Sequence, residues 1–292
     1  MDSHLGVLAI ASRVAAVYEL DASWLCSYDP TYTTSVLRSP SMRQLRVLSM
    51  ADYNYIHLDV MQAIVQMPYL HTLCLLEYAA SFNVPGTSNI ELLSLAPALT
   101  SLNIQDSYTT YSSRLVQVAE CSNLVDLSVS RPWLYGPAWP VFFAHPHIQQ
   151  LHSLKLNGFC ARGQLPLLIE HAATTQQEFQ ISFAGMHNLH TLHLANCHHI
   201  DLMLPALAHA PALHHLTITP SLNMGFWYRE MFTAPSTLVL ATLLVAAPRL
   251  HCVLVLVPPD ERSIAMGLRL KKKFESDAVL SAAAARFTIQ SD

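Results

Sequence analysis

One segment of this 292-residue chain, residues 189–208, reads LHTLHLANCHHIDLMLPALA. Leucines stand at its first, fourth and sixth positions, in the pattern L-x-x-L-x-L. Successive residues of a β-strand point to opposite faces, so Leu192 and Leu194 share one face and the residue between them lies on the other. Leu204 and Leu207 then follow at the spacing of one helix face. The segment therefore predicts a short strand followed by a short helix.

The same pattern recurs on both sides of this segment, with other apolar residues in place of some leucines. Its first leucine stands at eight positions: Leu45, Leu70, Leu99, Leu124, Leu151, Leu189, Leu213 and Leu250. Five of the seven intervals are 24 to 29 residues long, and the two longer ones indicate repeats that carry insertions. In four repeats a proline stands two residues before the first leucine and ends the preceding helix, at Pro68, Pro97, Pro211 and Pro248.

These signals predict an α/β fold, a leucine-rich repeat solenoid of horseshoe shape. A parallel β-sheet would line its concave face and short helices its convex face. Residues 1–257 would hold about eight repeats, preceded by a degenerate first unit at residues 17–20. Residues 258–292 would form a C-terminal helical cap, with residues 286–290 as a candidate last edge strand. The alternative is an ordinary leucine-rich α/β protein in which the pattern matches by chance.

The repeat around Cys197 also resembles a known class. Cys197 follows the strand, and Cys121-Ser122-Asn123-Leu124 supplies a second cysteine position. Together they resemble the cysteine-containing, ribonuclease-inhibitor-like leucine-rich repeats of F-box proteins. The resemblance implies that the repeats select a substrate, while an N-terminal F-box module docks on a ubiquitin-ligase adaptor. Residues 1–40 show no F-box, and their apolar character predicts that an upstream segment or a partner covers this edge.

Composition excludes several classes of function. Apolar residues form 52% of the chain and charged residues 12%, against roughly 25% charged in average soluble domains. The net charge of −4 offers no basic field for nucleic acid. Six widely spaced cysteines favour a reducing compartment, the cytoplasm or nucleus. Residues 238–257 approach membrane-spanning length, but Arg249 and His251 interrupt them, so we expect a buried helix and strand there and no membrane partner.

Binding residues are predicted on the concave face and in two aromatic loops. The residues between strand leucines are mostly small and carry hydroxyl groups, which suits hydrogen bonding to a protein or peptide. The loops contain tryptophan and tyrosine, which often dominate protein interfaces, although the same side chains could pack locally. The candidate protein-binding residues are Trp133, Tyr135, Trp139, Lys155, His193, Phe226, Trp227 and Tyr228.

The sixteen histidines could suggest a metal site, but the register gives another explanation. Five of them share the position directly after the first leucine: His71, His152, His190, His214 and His251. Repeat homology places them there, so we predict no metal and no other cofactor. Four of them, from His152 onward, would stack at the strand spacing and loosen the fold near pH 6, unless solvent exposure makes this harmless.

No catalytic motif is present, since the chain lacks G-x-S-x-G, a P-loop, G-x-G-x-x-G and H-E-x-x-H. We therefore expect a protein-interaction scaffold and not an enzyme. Its most specific form is the substrate-recognition region of an F-box-like ubiquitin-ligase receptor. The alternative is a stand-alone structural or adaptor protein unrelated to ubiquitination.

Overall fold

The chain divides into two compact units, Met1–Arg131 and Pro132–Asp292. The division at residue 257 that the sequence suggests remains a prediction. The computed structural model describes residues 16–22, 30–50, 57–76, 89–105, 110–111, 117–130, 132–133, 138–158, 180–195, 197, 200–219, 237–247, 249–257, 268, 271–272, 276 and 285–291.

The first unit is built around a run of parallel strands. The strands are β1 (Glu19–Asp21), β2 (Val47–Met50), β3 (Thr72–Leu76), β4 (Ser101–Gln105), β5 (Thr110–Tyr111) and β6 (Asp126–Ser130). Strands β1, β2, β3, β4 and β6 pair in that order, each parallel to the next. The helices between them are α1 (Pro30–Leu37), α2 (Leu58–Val65) and 3₁₀ helices at Pro40–Gln44 and Asn89–Leu95.

The second unit repeats this plan. Its strands are β7 (Pro132–Trp133), β8 (Ser153–Asn157), β9 (Thr191–Ala195), β10 (His215–Thr219), β11 (Cys252–Val257) and β12 (Phe287–Ser291). Strands β8 to β12 pair in chain order, all parallel. The helices are α3 (Ala138–Ala144), α4 (Pro146–Gln149), α5 (Ile200–Met203), a 3₁₀ helix at Leu204–His209 and α6 (Thr237–Ala246). Strand β12 occupies the segment from which the sequence suggested a last edge strand.

The predicted register is confirmed by burial. All eight first leucines are at most 3% exposed, and the inward residues of β2 to β4, β6 and β8 to β11, such as Leu192 and Leu194 in β9, are buried. In the pairing, Leu192 lies beside Leu154 on one side and Leu216 on the other. Equivalent apolar residues of successive repeats therefore stack into continuous rows that form the core.

One backbone arrangement sets this register. After six of the first leucines, the carbonyl of the next residue accepts two hydrogen bonds from consecutive N–H groups of the following repeat. In the second unit the His152 carbonyl accepts from His190 and Thr191 at 2.9 and 3.0 Å, and the His190 carbonyl accepts from His214 and His215 at 3.0 Å each. The same paired bonds are made by the carbonyls of Tyr18, Arg46, His71, Thr100 and His214. The shared acceptor, which we call the register carbonyl, prevents one repeat from sliding along the next.

Side chains also connect the helix ends to the following repeat. The described helices end two or three residues before Pro68, Pro97 and Pro211, where the sequence predicted stops. The Pro97 carbonyl accepts a 2.8 Å bond from Asn123 Nδ2, and the Pro211 carbonyl accepts one of the same length from Arg249. These contacts satisfy carbonyls that a helix end would otherwise leave without a partner.

Arg286 plays the corresponding part at the end of α6. Its guanidinium donates to the carbonyls of Leu244 at 2.6 Å, Leu250 at 3.1 Å and Ala247 at 3.3 Å. A cation at a helix C-terminus also interacts favourably with the helix dipole. Arg286 directly precedes β12, so this contact fixes the last described strand against the helix before it.

The segment 238–257 contains most of α6 and all of β11, in line with the helix and strand that the sequence predicted. Among the described residues, no helix combines the length and apolar character needed to cross a lipid bilayer. Residues 258–284 of the predicted C-terminal helical cap lie almost wholly outside the described residues.

The core rows predict a large cost for shortening one leucine. We expect Leu192→Ala to lower the free energy of unfolding by about 2–5 kcal/mol, because the change leaves a cavity between two neighbouring repeats. The matched control is Thr191→Ala, since Thr191 is half-buried on the opposite strand face and should lose less than about 1 kcal/mol. Urea unfolding followed by circular dichroism measures both, and equal losses would contradict the register.

Candidate protein-binding surface

The second unit presents an open strand face made by the residues that alternate with its buried rows. The paired register aligns one residue from each of strands β8 to β12 across this face: Lys155, His193, Thr217, Leu254 and Thr288. Lys155 and Thr288 are exposed, and the three between them are half-buried. Lys155 and His193, two of the predicted binding residues, are thus direct neighbours in what we call the central row.

His193 is held in place by a neighbouring strand. Its Nε2 lies 2.9 Å from the hydroxyl of Thr219, with either atom able to donate depending on the tautomer. Thr219 lies at the end of β10, one strand away from His193. The bond restricts the imidazole to one orientation on the open face, which lowers the entropy that a partner would have to remove on binding.

The central row changes in chemistry along the sheet. On β8 to β10 it is polar and carries the Lys155 ammonium, whereas on β11 it becomes aliphatic at Leu254, and Leu256 follows on the same strand face. Both leucines are half-buried, and β12 pairs with their strand on its outer side. On this face Leu254 lies between Thr217 of β10 and Thr288 of β12, so polar strands flank the aliphatic segment.

The strand face of the first unit is polar, with exposed carboxylates on β1 (Glu19 and Asp21) and β6 (Asp126). Ser49, Cys74, Asn103 and Ser128 are half-buried and are paired in register across β2, β3, β4 and β6. The Asn103 amide oxygen is shielded from solvent and makes no hydrogen bond within the described residues. A buried acceptor without a donor costs free energy, so this oxygen lowers the stability of the first unit.

The side chains of the aromatic candidates lie outside the part of the chain that the structure describes. Trp133 lies in β7 and Trp139 in α3, but only their backbone is described. Tyr135 and the triplet Phe226, Trp227 and Tyr228 lie outside the described residues. Their binding role remains a prediction.

The histidines after the first leucine form a continuous row along the edge of the second unit. Ring centroids are 5.5 Å apart between His152 and His190, 5.5 Å between His190 and His214, and 5.2 Å between His214 and His251. The last two rings are stacked with an interplanar angle of 4°. We call these four residues the histidine row. The stacking that the sequence suggested is therefore present, and His214 is half-buried while the other three are exposed.

His214 occupies an interior position of this row, and its surroundings disfavour protonation. Its pKa is lowered from the ordinary 6.5 by partial desolvation and by the neighbouring basic groups His251, His190, His215 and Arg249. All of the charged neighbours that act on it are basic. A cation there would be repelled from both sides along the row.

The cysteines that carried the family resemblance are buried. Cys197 Sγ lies 3.4 Å from the Ala195 carbonyl and 3.5 Å from the Leu156 carbonyl of the preceding repeat. Burial, with a smaller contribution from Glu120, raises the pKa of Cys121 to about 12, which makes it unsuitable as a thiolate ligand or nucleophile. No group of three or more metal-ligating side chains converges among the described residues.

The row predicts that stability decreases in mild acid. The folded-state pKa of His214 is lowered, so the unfolded chain takes up a proton at higher pH than the folded chain does. The contribution of neutral His214 to stability is therefore fully present above about pH 6.5, and it is lost as the pH falls through the folded-state pKa. We expect the melting temperature to fall between about pH 7.5 and pH 5.5, and to fall less in His214→Gln.

Thermal unfolding by circular dichroism measures this effect. The control is His209→Gln, because His209 is an exposed histidine outside the row and its loss should leave the pH dependence of the wild type. A melting temperature that falls equally in the wild type and in His214→Gln would show that the row does not resist protonation.

Comparison with known proteins identifies the fold through structure only. The sequence matches no protein-family profile and no curated protein. Among solved structures, the chain is similar to the leucine-rich repeat-containing protein LegL7 from Legionella pneumophila, with a TM-score of 0.53 and 16% identity, over 98% of this chain and 87% of that one.

Two further structures are more remote. The complex of Rad7 and Elc1 from yeast matches with a TM-score of 0.42 and 13% identity, over 87% of this chain and 79% of that one. An internalin from Listeria monocytogenes matches with a TM-score of 0.31 and 12% identity, over 100% and 94% of the two chains. Neither likeness is strong enough to support an inference. The strand-helix repeats, the parallel pairing and the likeness to LegL7 together show that the chain has the α/β fold of a leucine-rich repeat solenoid.

Proposed function

We propose that this chain is a protein-binding scaffold and that the open strand face of the second unit binds its partner. The observation that carries the proposal is the central row, in which Lys155, His193, Thr217, Leu254 and Thr288 lie side by side and remain accessible. A sheet needs only its buried face for stability. An exposed face with mixed polar and aliphatic chemistry is therefore available for recognition.

The chemistry of the face suits a protein better than a nucleotide or a membrane. Threonine hydroxyls next to Leu254 and Leu256 provide hydrogen bonds around a small apolar centre, the arrangement common at protein interfaces. Lys155 supplies one fixed charge, and the net charge of −4 provides no field for nucleic acid. The proposal requires no cofactor and no catalytic group. Free thiols at Cys74, Cys121 and Cys252 favour the cytoplasm or nucleus as its location.

A more specific form of the proposal is the substrate-recognition region of an F-box-like ubiquitin-ligase receptor. It is supported by the cysteine-containing repeat, in which Cys197 is buried and contacts the preceding repeat through the Leu156 carbonyl. In this form the partner is a protein destined for ubiquitination, and a ligase adaptor binds a separate F-box module. The alternative, a stand-alone scaffold, uses the same strand face without an adaptor.

Substitutions in the central row should weaken partner binding. We expect the double variant Lys155→Ala with His193→Ala to retain at least about tenfold less partner than the wild type, because two polar anchors at the centre of an interface are lost. The measurement is affinity capture from an extract of the source organism by the full chain, with the retained proteins quantified by mass spectrometry. The matched control is Val141→Ala, since Val141 is exposed on α3.

The outcomes separate the alternatives. Proteins lost with the double variant and retained with the control support strand-face binding, whereas proteins retained equally by all three contradict it. A ubiquitin-ligase adaptor captured together with such a protein favours the receptor form. A partner captured without an adaptor favours the stand-alone scaffold.

A further inference from the structure

The histidine row has no assigned role in the strand-face proposal, yet it is a surface of unusual chemistry. Four imidazoles lie side by side at the edge where β8 to β11 begin, and within the described residues their ring nitrogens make no hydrogen bond or ion pair. The groups that act on His214 are His190, His251, His215 and Arg249, all basic. Arg286 precedes the next strand, but its guanidinium is engaged by helix carbonyls. No carboxylate of the described residues forms an ion pair with the row. The ion pair that the described residues do contain joins His57 and Asp59, in the first unit.

The repeat alone does not account for this arrangement. The register carbonyl belongs to the backbone, and Arg46, Thr100 and Val125 occupy the same position in the first unit. The carbonyls of Arg46 and Thr100 still accept the paired hydrogen bonds, and the Val125 N–H still donates to the Thr100 carbonyl. Histidine is therefore not required for the fold at this position. Four consecutive imidazoles instead form a line of groups that attract an anion when they are protonated.

Metal binding fits the row poorly. The rings of His214 and His251 are nearly parallel at a centroid distance of 5.2 Å. Two nitrogens bound to one zinc ion at roughly 2.0–2.1 Å each can be no more than about 4.2 Å apart, so these rings would have to leave their stacking. No third ligand converges on them among the described residues.

The spacing of the row matches a helical partner. Its steps of 5.5, 5.5 and 5.2 Å are close to the pitch of an α-helix, about 5.4 Å per turn. A helix lying along the row could present one side chain per turn to each imidazole. Same-face side chains of an extended peptide repeat every ~6.7 Å and would be out of step by about 4 Å after three intervals.

We propose that the histidine row binds an α-helix of a partner protein that carries one acidic side chain per turn, and that binding strengthens as the pH falls. The inference rests on the proposed protein-binding function and names the chemistry of the partner. Each carboxylate favours the protonated imidazole opposite it and relieves the repulsion along the row. Binding therefore takes up protons, and the complex gains affinity as the pH approaches the histidine range.

The test uses the full chain and a labelled helical peptide with glutamates at i, i+4, i+7 and i+11 on an alanine-rich background. Fluorescence anisotropy measures the dissociation constant at about pH 6.0 and pH 7.8 in about 50 mM salt. We expect binding at least about tenfold tighter at the lower pH, and a similar loss when the four glutamates are replaced by glutamine. A proline-containing extended peptide of the same charge should bind more weakly than the helical one.

Variants locate the binding site. His190→Gln combined with His214→Gln should weaken peptide binding by about tenfold or more at pH 6.0. The single change His251→Gln, at the exposed end of the row, should weaken it by a smaller factor and replaces the double variant as the test if the double variant does not fold. The matched control is His71→Gln, because His71 has the same register position in the first unit, where Arg46 and Thr100 flank it. Circular dichroism at each pH verifies that every variant is folded.

Several results would overturn the inference. These are equal binding of the glutamate and glutamine peptides, no gain in affinity at the lower pH, an equal loss in His71→Gln, or an extended peptide that binds as tightly as the helix. A single-stranded oligonucleotide that competes more strongly than the peptide would overturn the assignment to a protein. The strand-face variant Lys155→Ala with His193→Ala should still bind the peptide, so failure of the row and failure of the strand face give different results.

Discussion

The register carbonyl is the constraint on which the rest of the structure depends. One oxygen accepts from two consecutive N–H groups of the next repeat, for example from His214 and His215 at the His190 carbonyl. A shift of one residue between strands would break both bonds and would turn the leucines outward, because side chains alternate between faces. With the register set, each sequence position becomes a row: leucines in the core, hydroxyl-rich residues on the strand face and histidines along the edge.

The core could be predicted from the sequence because it depends on periodicity. A spacing of two identifies the strand leucines, a spacing of three or four identifies the helices, and a proline marks where a helix ends; each signal is local. The histidine row could be anticipated for the same reason, since its members share one position after the first leucine. The histidines form a row only if all repeats share one register, and burial of every first leucine confirms that register.

Other features depend on side-chain conformation or on long-range contacts and could not be predicted. Nothing local indicates that Arg286 reaches the carbonyls at the end of α6, about forty residues earlier, or that Asn123 and Arg249 make equivalent bonds to the carbonyls of Pro97 and Pro211. The ring angles within the histidine row, from 4° to 89°, arise from rotamers that periodicity does not determine. The bond from His193 to Thr219 likewise joins residues of different repeats.

The two surfaces of the second unit follow from this arrangement and have different chemistry. The strand face combines hydroxyl groups, one lysine and two half-buried leucines, while the edge combines titratable rings with no carboxylate partner in the described structure. A repeat fold can carry both because its stability comes from the buried rows, which leaves the positions between and beside them free to vary. The buried rows therefore stabilise the fold, and the residues between and beside them are available for recognition.

A cysteine cross-link tests the common register most directly. In the paired register Lys155 lies opposite His193, with Cα atoms expected about 4.8 Å apart, within the range that a disulfide can bridge. Lys155 and Thr191 are displaced by two residues, which places their Cα atoms about 8 Å apart, beyond the ~7 Å limit. Lys155→Cys with His193→Cys should therefore oxidise readily to a disulfide detected by mass spectrometry, whereas Lys155→Cys with Thr191→Cys should not. The reverse result would contradict the register and every row that depends on it.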